Sequence, residues 1–208
     1  MEVFVYVKIC GVVDAGVAVD CFDAGADMVG MVYYPPSPRH VEMQQAKHIL
    51  NAIEKFHKQE KKTVLVVADK LPDEIDPRFD YVQIHGKINA DLINTIKCDI
   101  IRVVRDYREF ENLLAGDEKI PADQLFILEM SHGILPGGNG TKWDWSKAKP
   151  FCKRFKTLIA GGITPDNVEE AIKETEPFGV DVSSGVESVA GIKDMTKIKK
   201  LLNIAKYS

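Results

Sequence analysis

The sequence predicts a closed (β/α)8 barrel, a fold of the α/β class. Eight short apolar runs alternate with helix-like segments along the 208 residues, and most runs are apolar on both faces, as strands of a buried parallel sheet are. The last two runs end in glycine-bearing turns, at Ala160–Gly162 and Ser183–Gly185. Because the backbone N–H groups of such turns bind phosphate, they indicate a phosphorylated ligand at the C-terminal face of the barrel. An open doubly wound sheet is the alternative fold.

The elements follow one another in regular alternation. The predicted strands are Phe4–Cys10, Met28–Tyr33, Thr63–Ala68, Tyr81–His85, Ile100–Val104, Leu125–Glu129, Leu158–Ala160 and Val180–Ser183. The predicted helices are Val17–Ala24, Glu42–Phe56, Asn89–Lys97, Tyr107–Ala115, Pro165–Glu174 and Asp194–Ala205, and Leu71–Arg78, which contains two prolines, is at best a short helix.

The composition is that of an ordinary soluble domain, with 45% hydrophobic and 28% charged residues. The length fits a single domain over residues 1–208. The net charge of −4 comes from interspersed charges, which argues against nucleic-acid or membrane partners. Four cysteines without a C-x-x-C pair, and no apolar stretch long enough for a membrane span, predict a reduced, cytoplasmic protein.

The connection Met130–Lys142 is glycine-rich and lacks helical periodicity. Long irregular connections on this face of a barrel often serve as lids. We expect Asp14 to cap the first helix and Asp144 to begin the helix after this connection. Trp143 and Trp145 are expected to pack the lid against the barrel or, alternatively, to touch an aromatic ligand.

Polar residues cluster at the C-terminal ends of several predicted strands. Strand alternation places Cys10, His85, Glu129 and Asp181 on faces that can point into the barrel. Each of them alone has an ordinary structural explanation, but together they would converge on one mouth and predict a functional site. Lys8 shares the face of Cys10 and would either activate its thiol or form a buried ion pair.

Several motifs resemble the phosphoribosylanthranilate isomerase family of tryptophan biosynthesis, in order and over nearly the whole chain. They are K-I-C-G (Lys8–Gly11), A-G-A-D (Ala24–Asp27), Y-P-P-S-P-R-H-V (Tyr34–Val41), V-Q-I-H-G (Val82–Gly86), G-G-N-G-T-K-W-D-W (Gly137–Trp145), A-G-G-I-T-P-D-N-V (Ala160–Val168) and G-V-D-V-S-S-G-V-E (Gly179–Glu187).

The resemblance implies an Amadori rearrangement of N-(5-phosphoribosyl)anthranilate to 1-(2-carboxyphenylamino)-1-deoxyribulose 5-phosphate, without metal or organic cofactor. It implies Cys10 as the general base and Glu129 as the general acid, with Arg39 facing the anthranilate carboxylate. The resemblance also implies that His85 and Asp181 line the sugar site and bind or orient the sugar. It further implies that the phosphate is bound by Gly161, Gly162, Ser184 and Gly185. The expected partner is this small molecule alone, and the family contains monomers as well as homodimers.

Two features depart from the family pattern. Glu129 stands where the family usually has Asp, and it is one methylene longer. The first loop has Val13 and Asp14 in place of a threonine and a basic residue. These departures leave two other functions open, a non-catalytic phosphate-binding paralogue and a related phosphosugar isomerase. The histidine-pathway isomerase is disfavoured, because Cys10 and Arg105 stand near the places of its paired aspartates.

Overall fold

The computed structural model describes residues 5–57, 61–85, 88, 90–116, 119–130 and 143–207. Its eight parallel strands are hydrogen-bonded in chain order, and the eighth pairs with the first, so the sheet closes into a barrel. The strands are β1 (Tyr6–Cys10), β2 (Met28–Tyr33), β3 (Lys62–Val67), β4 (Tyr81–Ile84), β5 (Asp99–Val104), β6 (Leu125–Leu128), β7 (Lys156–Ile159) and β8 (Gly179–Val182). The predicted fold class is thereby confirmed, and the single domain over 1–208 stays a prediction.

Helices surround the barrel in the described ranges. They are α1 (Ala15–Asp23), α2 (Met43–Phe56), α3 (Ala90–Ile93), α4 (Tyr107–Ala115), α5 (Lys149–Arg154), α6 (Val168–Thr175) and α7 (Met195–Tyr207). Two short 3-10 helices, Trp145–Ala148 and Ser184–Val186, precede α5 and follow β8.

The apolar residues form two layers, because side chains of each strand alternate between the barrel interior and the helices. The inner cluster includes Cys10, Val64, Ile127, Leu158 and Ala160. The larger outer cluster joins the opposite strand faces to the apolar faces of the helices. Burial on both faces explains why the strands read as continuous apolar runs.

Two predicted helix caps are confirmed. The Asp14 side chain accepts a hydrogen bond from the Val17 N–H at 2.9 Å, at the start of α1. Asp144 accepts one from Ser146 N–H at 3.3 Å and precedes the first 3-10 helix. Trp145 is buried in the outer cluster, and Trp143 packs against that cluster and donates its Nε1–H to the Ala160 carbonyl at 2.8 Å.

Two predicted helices are shortened or absent. Leu71–Arg78 contains bends and turns only, since Pro72 and Pro77 interrupt helical hydrogen bonding and Asp76 pairs with Arg78. The helix predicted over Asn89–Lys97 is limited to α3. The Thr95 hydroxyl and its backbone N–H both bind the Leu92 carbonyl, and this local bonding competes with helix continuation.

The helix predicted from Pro165 begins only at Val168. Asn167 holds the preceding residues in a turn, because its side chain accepts from Thr164 N–H at 2.7 Å and donates to the Gly162 carbonyl at 2.9 Å. The Gly161–Gly162 turn therefore lies several residues before α6.

A small hairpin after β8 was not foreseen. Its strands are β9 (Glu187–Val189) and β10 (Ile192–Lys193), and Gly191 in its turn has a φ of +86°. The predicted lid, Met130–Lys142, lies outside the described residues except for Met130, which is buried.

Candidate active site at the C-terminal mouth of the barrel

A cavity of about 750 Å³, counted with its opening to solvent, lies at the C-terminal ends of the strands. All of the residues predicted for the site line it, which brings together groups from five of the eight strands and from the loop after β2. They are Cys10, Arg39, His85, Glu129, Gly161, Gly162, Asp181, Ser184 and Gly185. The structure thus places them in one site, while the role of each stays a prediction.

The bottom of the site contains a buried ion pair. Lys8 of β1 and Asp181 of β8 are opposite each other in the parallel register, and Lys8 Nζ lies 2.8 Å from Asp181 Oδ1. The Cys10 thiol lies close enough to Lys8 to raise the pKa of the ammonium group. Gly30 of β2 leaves room for these groups, because a Cβ there would lie 3.1 Å from Lys8 Nζ and 3.2 Å from Cys10 Sγ. Lys8 therefore forms the buried ion pair that its sequence position allowed, and activation of the Cys10 thiol by Lys8 stays a prediction.

The Cys10 thiol is buried near these charges. Burial raises its pKa above the ordinary value, while the positive charges of Lys8 and Lys193 act in the opposite direction and Asp181 adds to the rise. The net result is a raised pKa, so Cys10 is mainly a thiol at neutral pH in the unliganded protein. Burial opposes the charge of Lys8, but Asp181 and Cys10 outweigh it and hold the pKa of Lys8 above its ordinary value.

Glu129 directly follows β6, and its backbone N–H donates to the Val104 carbonyl at 3.0 Å. This bond continues the β5–β6 ladder and extends the alternation that points Ile127 into the barrel. Glu129 is only 4% exposed and lines the cavity. A carboxyl group therefore reaches the cavity from the side of the barrel formed by β5 and β6.

His85 extends β4, with its backbone N–H bonded to the Val67 carbonyl at 2.7 Å. Gln83 lies two positions before it on the same face and also lines the cavity, with its Nε2 at 2.5 Å from the His85 Nε2. This contact holds the His85 ring against the Gln83 amide at the wall of the cavity.

The two glycine turns lie against each other. Gly161 and Gly162 have φ angles of +89° and +72°, a region that favours glycine. Gly185 approaches the first turn so closely that a Cβ there would lie 1.9 Å from the Ile163 carbonyl oxygen. Together with the 3-10 helix that begins at Ser184, the turns offer backbone N–H groups and a hydroxyl at one end of the cavity, a suitable environment for a phosphate.

Arg39 reaches the cavity from the loop after β2, but it also makes a contact that sequence reasoning missed. Its Nε and Nη2 donate to the Glu187 carboxylate, both at 2.8 Å. Lys193 Nζ lies 2.7 Å from the same carboxylate. Burial opposes ionisation of Glu187, but the bonds from Arg39 and the charge of Lys193 hold its pKa below the ordinary value. The G-V-E motif contained Glu187, but no pattern in the sequence indicated its partner.

Two further properties concern possible ligands and surroundings. Within the described ranges, no group of three or more His, Cys, Asp or Glu side chains is arranged to hold a metal ion. None of the helices in those ranges combines the length and apolarity that crossing a membrane requires.

A thiol and a carboxyl group at the mouth of a (β/α)8 barrel, beside a phosphate-type turn pair, define a class of enzyme. They are the groups of an acid–base catalyst that anchors a phosphorylated substrate. Comparisons with known proteins identify the particular family. The family model for N-(5'-phosphoribosyl)anthranilate isomerase matches residues 7–204.

Individual relatives agree with that match. The N-(5'-phosphoribosyl)anthranilate isomerase of Desulfatibacillum aliphaticivorans is 35% identical, with 97% of this chain and 93% of the relative covered. The crystal structure of the Thermotoga maritima phosphoribosyl anthranilate isomerase has a TM-score of 0.81 at 31% identity, covering 98% of this chain and 99% of that one.

A further solved phosphoribosyl anthranilate isomerase is in complex with reduced 1-(o-carboxyphenylamino)-1-deoxyribulose 5-phosphate. It has a TM-score of 0.77 at 31% identity and covers 98% of this chain and 99% of its own. The chain belongs to the N-(5'-phosphoribosyl)anthranilate isomerase family, and it is an isomerase of tryptophan biosynthesis.

Proposed function

We propose that this chain carries out the Amadori rearrangement of N-(5-phosphoribosyl)anthranilate with Cys10 as general base and Glu129 as general acid. The observation that supports the proposal most directly is that both side chains line one cavity with the two glycine turns. The phosphate is the anchor, and it holds the sugar between a carboxyl group and a thiol.

The proton transfers follow from these positions. The Glu129 carboxyl group donates a proton to the furanose ring oxygen, the bond between this oxygen and C1′ breaks, and an iminium forms. The Cys10 thiolate then removes the proton from C2′, which gives an enolamine that tautomerises to the ketone. The positive charge of Lys8, which acts to lower the pKa of Cys10, stabilises the thiolate. His85 and Asp181 orient the sugar, and Arg39 binds the anthranilate carboxylate.

Glu129 is the residue for which the test matters most, because it is longer than the family's Asp. We expect Glu129→Gln to reduce kcat by roughly a hundredfold or more, since general acid catalysis commonly contributes that factor. Binding of the reduced product analogue should stay nearly unchanged. The consumption of freshly made phosphoribosylanthranilate, followed by its fluorescence, measures the rate.

Glu129→Asp is the matched variant, because it keeps the carboxyl group and restores the family's length. Partial activity in this variant and none in Glu129→Gln would identify the carboxyl group as the acid. A near-full rate in Glu129→Gln would remove Glu129 from the mechanism. If the wild-type protein shows no turnover but phosphate still stabilises it, the chain is the non-catalytic phosphate-binding paralogue.

Assembly and location stay proposals. A phosphoribosylanthranilate isomerase of Thermotoga maritima is described as dimeric, and we propose a monomer or homodimer, to be distinguished by sedimentation. All four cysteines are free thiols. A catalytic thiol functions best where disulfides do not form, which supports a cytoplasmic location.

A further inference from the structure

The β9–β10 hairpin brings two charged residues to the rim of the cavity. Glu187 begins β9 and is opposite Lys193 of β10 in the antiparallel register. Both side chains are almost fully buried, at 4% and 1% exposure. Lys193 also donates to the Ser183 carbonyl at 3.1 Å, and Lys197 donates to the Glu187 carbonyl at 2.7 Å. Glu187 is therefore fixed by its backbone as well as by its side chain.

Arg39 is held from two sides. Its Nε and Nη2 bind Glu187 in a two-pronged pair. On the other side Gly11, with a φ of +76°, leaves space for the arginine stem, because a Cβ there would lie 2.5 Å from Arg39 Cδ. The hairpin turn also touches the Arg39 loop, since a Cβ on Gly191 would lie 2.6 Å from the Pro38 carbonyl oxygen.

A guanidinium group has two edges that can each bind a carboxylate through parallel N–H groups. Glu187 occupies the edge formed by Nε and Nη2. Nη1 makes no hydrogen bond with any residue in the part of the chain that the structure describes. Because Arg39 lines the cavity, the second edge is available to a ligand carboxylate.

We propose that Glu187 is a positioning residue that fixes the Arg39 guanidinium so that its second edge receives the anthranilate carboxylate, and that Lys193 fixes Glu187 in turn. The inference rests on the proposed function and extends it. It makes the hairpin a determinant of specificity for a carboxylated ring, although the hairpin itself does not contact the reacting carbons.

The test compares binding of two stable ligands. One is reduced 1-(o-carboxyphenylamino)-1-deoxyribulose 5-phosphate, and the other is its counterpart without the ring carboxyl group. In Glu187→Gln we expect affinity for the carboxylated ligand to fall about 10- to 100-fold, the range for a hydrogen-bonded charge. Affinity for the other ligand should stay within about twofold. A purely structural role would weaken both equally, and that result would overturn the inference.

Kinetics give a second readout. Since Glu187 acts on binding, its loss should raise KM for the carboxylated substrate and leave kcat nearly unchanged. Glu187→Asp keeps the charge and should recover part of the affinity, and Lys193→Met should have a smaller effect in the same direction. Glu174→Gln, on the exposed face of α6, is the matched control and should behave as wild type.

The outcomes separate the two proposals. If the wild-type protein neither binds the carboxylated ligand nor turns over substrate, the proposed function fails. If it does both, but Glu187→Gln and Glu187→Asp discriminate the two ligands as well as wild type does, only the role of Glu187 fails. Should Glu187→Gln not fold, the ligand ratio in Glu187→Asp and Lys193→Met decides.

Discussion

Cys10 combines two properties that oppose each other. Burial in the barrel mouth excludes water from the reacting carbon but raises the pKa of the thiol, so little thiolate is present at neutral pH. Lys8 and Lys193 reduce this rise. The same lysines are themselves neutralised by Asp181 and Glu187, which keeps their effect on the thiol moderate. A small set of buried charges therefore controls the pKa of Cys10, the proposed base.

A pH dependence follows from the raised pKa. The thiolate, not the thiol, is the nucleophile, so the rate at which iodoacetamide alkylates Cys10 should rise about tenfold per pH unit below the Cys10 pKa and keep rising above about pH 8. The ordinary pKa of the thiol is 9.0, and burial moves this rise toward higher pH. Mass spectrometry of the peptide that contains Cys10, after alkylation between about pH 6 and 9.5 and with the melting temperature checked at each pH, measures the rate.

Cys10→Ser is the control for this profile and should show no alkylation at position 10. The thiols of Cys21 and Cys152 do not interfere, because burial raises the pKa of each to about 12. An alkylation rate of Cys10 that is already constant from neutral pH upward would contradict a raised pKa for this thiol.

At the scale of elements, the two glycine turns act as one unit. The segment after β7 contacts the 3-10 helix after β8 at Gly185, which packs directly against the Ile163 carbonyl. Asn167 closes the first turn through the Thr164 N–H and the Gly162 carbonyl. The proposed phosphate site therefore depends on how closely the two loops approach each other, in addition to their individual conformations.

We expect Gly185→Ala to separate these loops. A Cβ would lie 1.9 Å from a backbone oxygen, and relief of that overlap requires a shift of about 1 Å or more, a displacement that can cost roughly a hundredfold in rate. KM should rise at least about tenfold, and inorganic phosphate should inhibit less strongly. Steady-state kinetics with phosphate as competitor measure both effects.

Gly16→Ala is the matched control, because in α1 a Cβ would meet only the movable Asp14 carboxylate at 3.2 Å. It should leave KM unchanged. Wild-type KM and phosphate inhibition in Gly185→Ala would show that the contact between the turns is not needed for phosphate binding.

The sequence predicted the strands well and the short connecting elements poorly. Apolar runs such as Met28–Tyr33 are buried on both faces and coincide with β2. The sequence did not predict the hairpin, because β10 has only two residues and because the buried residues of the hairpin, Glu187 and Lys193, are charged. Charged residues in a short segment predict an exposed loop, and only their pairing makes their burial possible.

At the scale of the whole molecule, barrel closure creates the site. Lys8 and Asp181 are 173 positions apart, and Arg39 and Glu187 are 148 apart. Both contacts depend on β8 lying beside β1. Sequence alternation indicated which residues face inward, but it gave no information on which of them form pairs. Pairing was therefore the part of the site that had to come from the three-dimensional structure.

Since loops from both ends of the chain line the cavity, ligand binding there should stabilise the whole barrel. A ligand at about 100 times its Kd adds about 2.7 kcal/mol to the free energy of unfolding, and a domain of this size gains about 2–4 °C per kcal/mol. We therefore expect the reduced product analogue to raise the Tm by roughly 5–10 °C at that concentration. Inorganic phosphate at equal concentration should give a smaller rise, because it is expected to contact only the glycine turns.

Sodium chloride at matched ionic strength is the control for screening, and Gly185→Ala should lose most of the shift with either ligand. An unchanged Tm at ligand concentrations that inhibit turnover would show that the ligand does not bind the folded barrel through these loops.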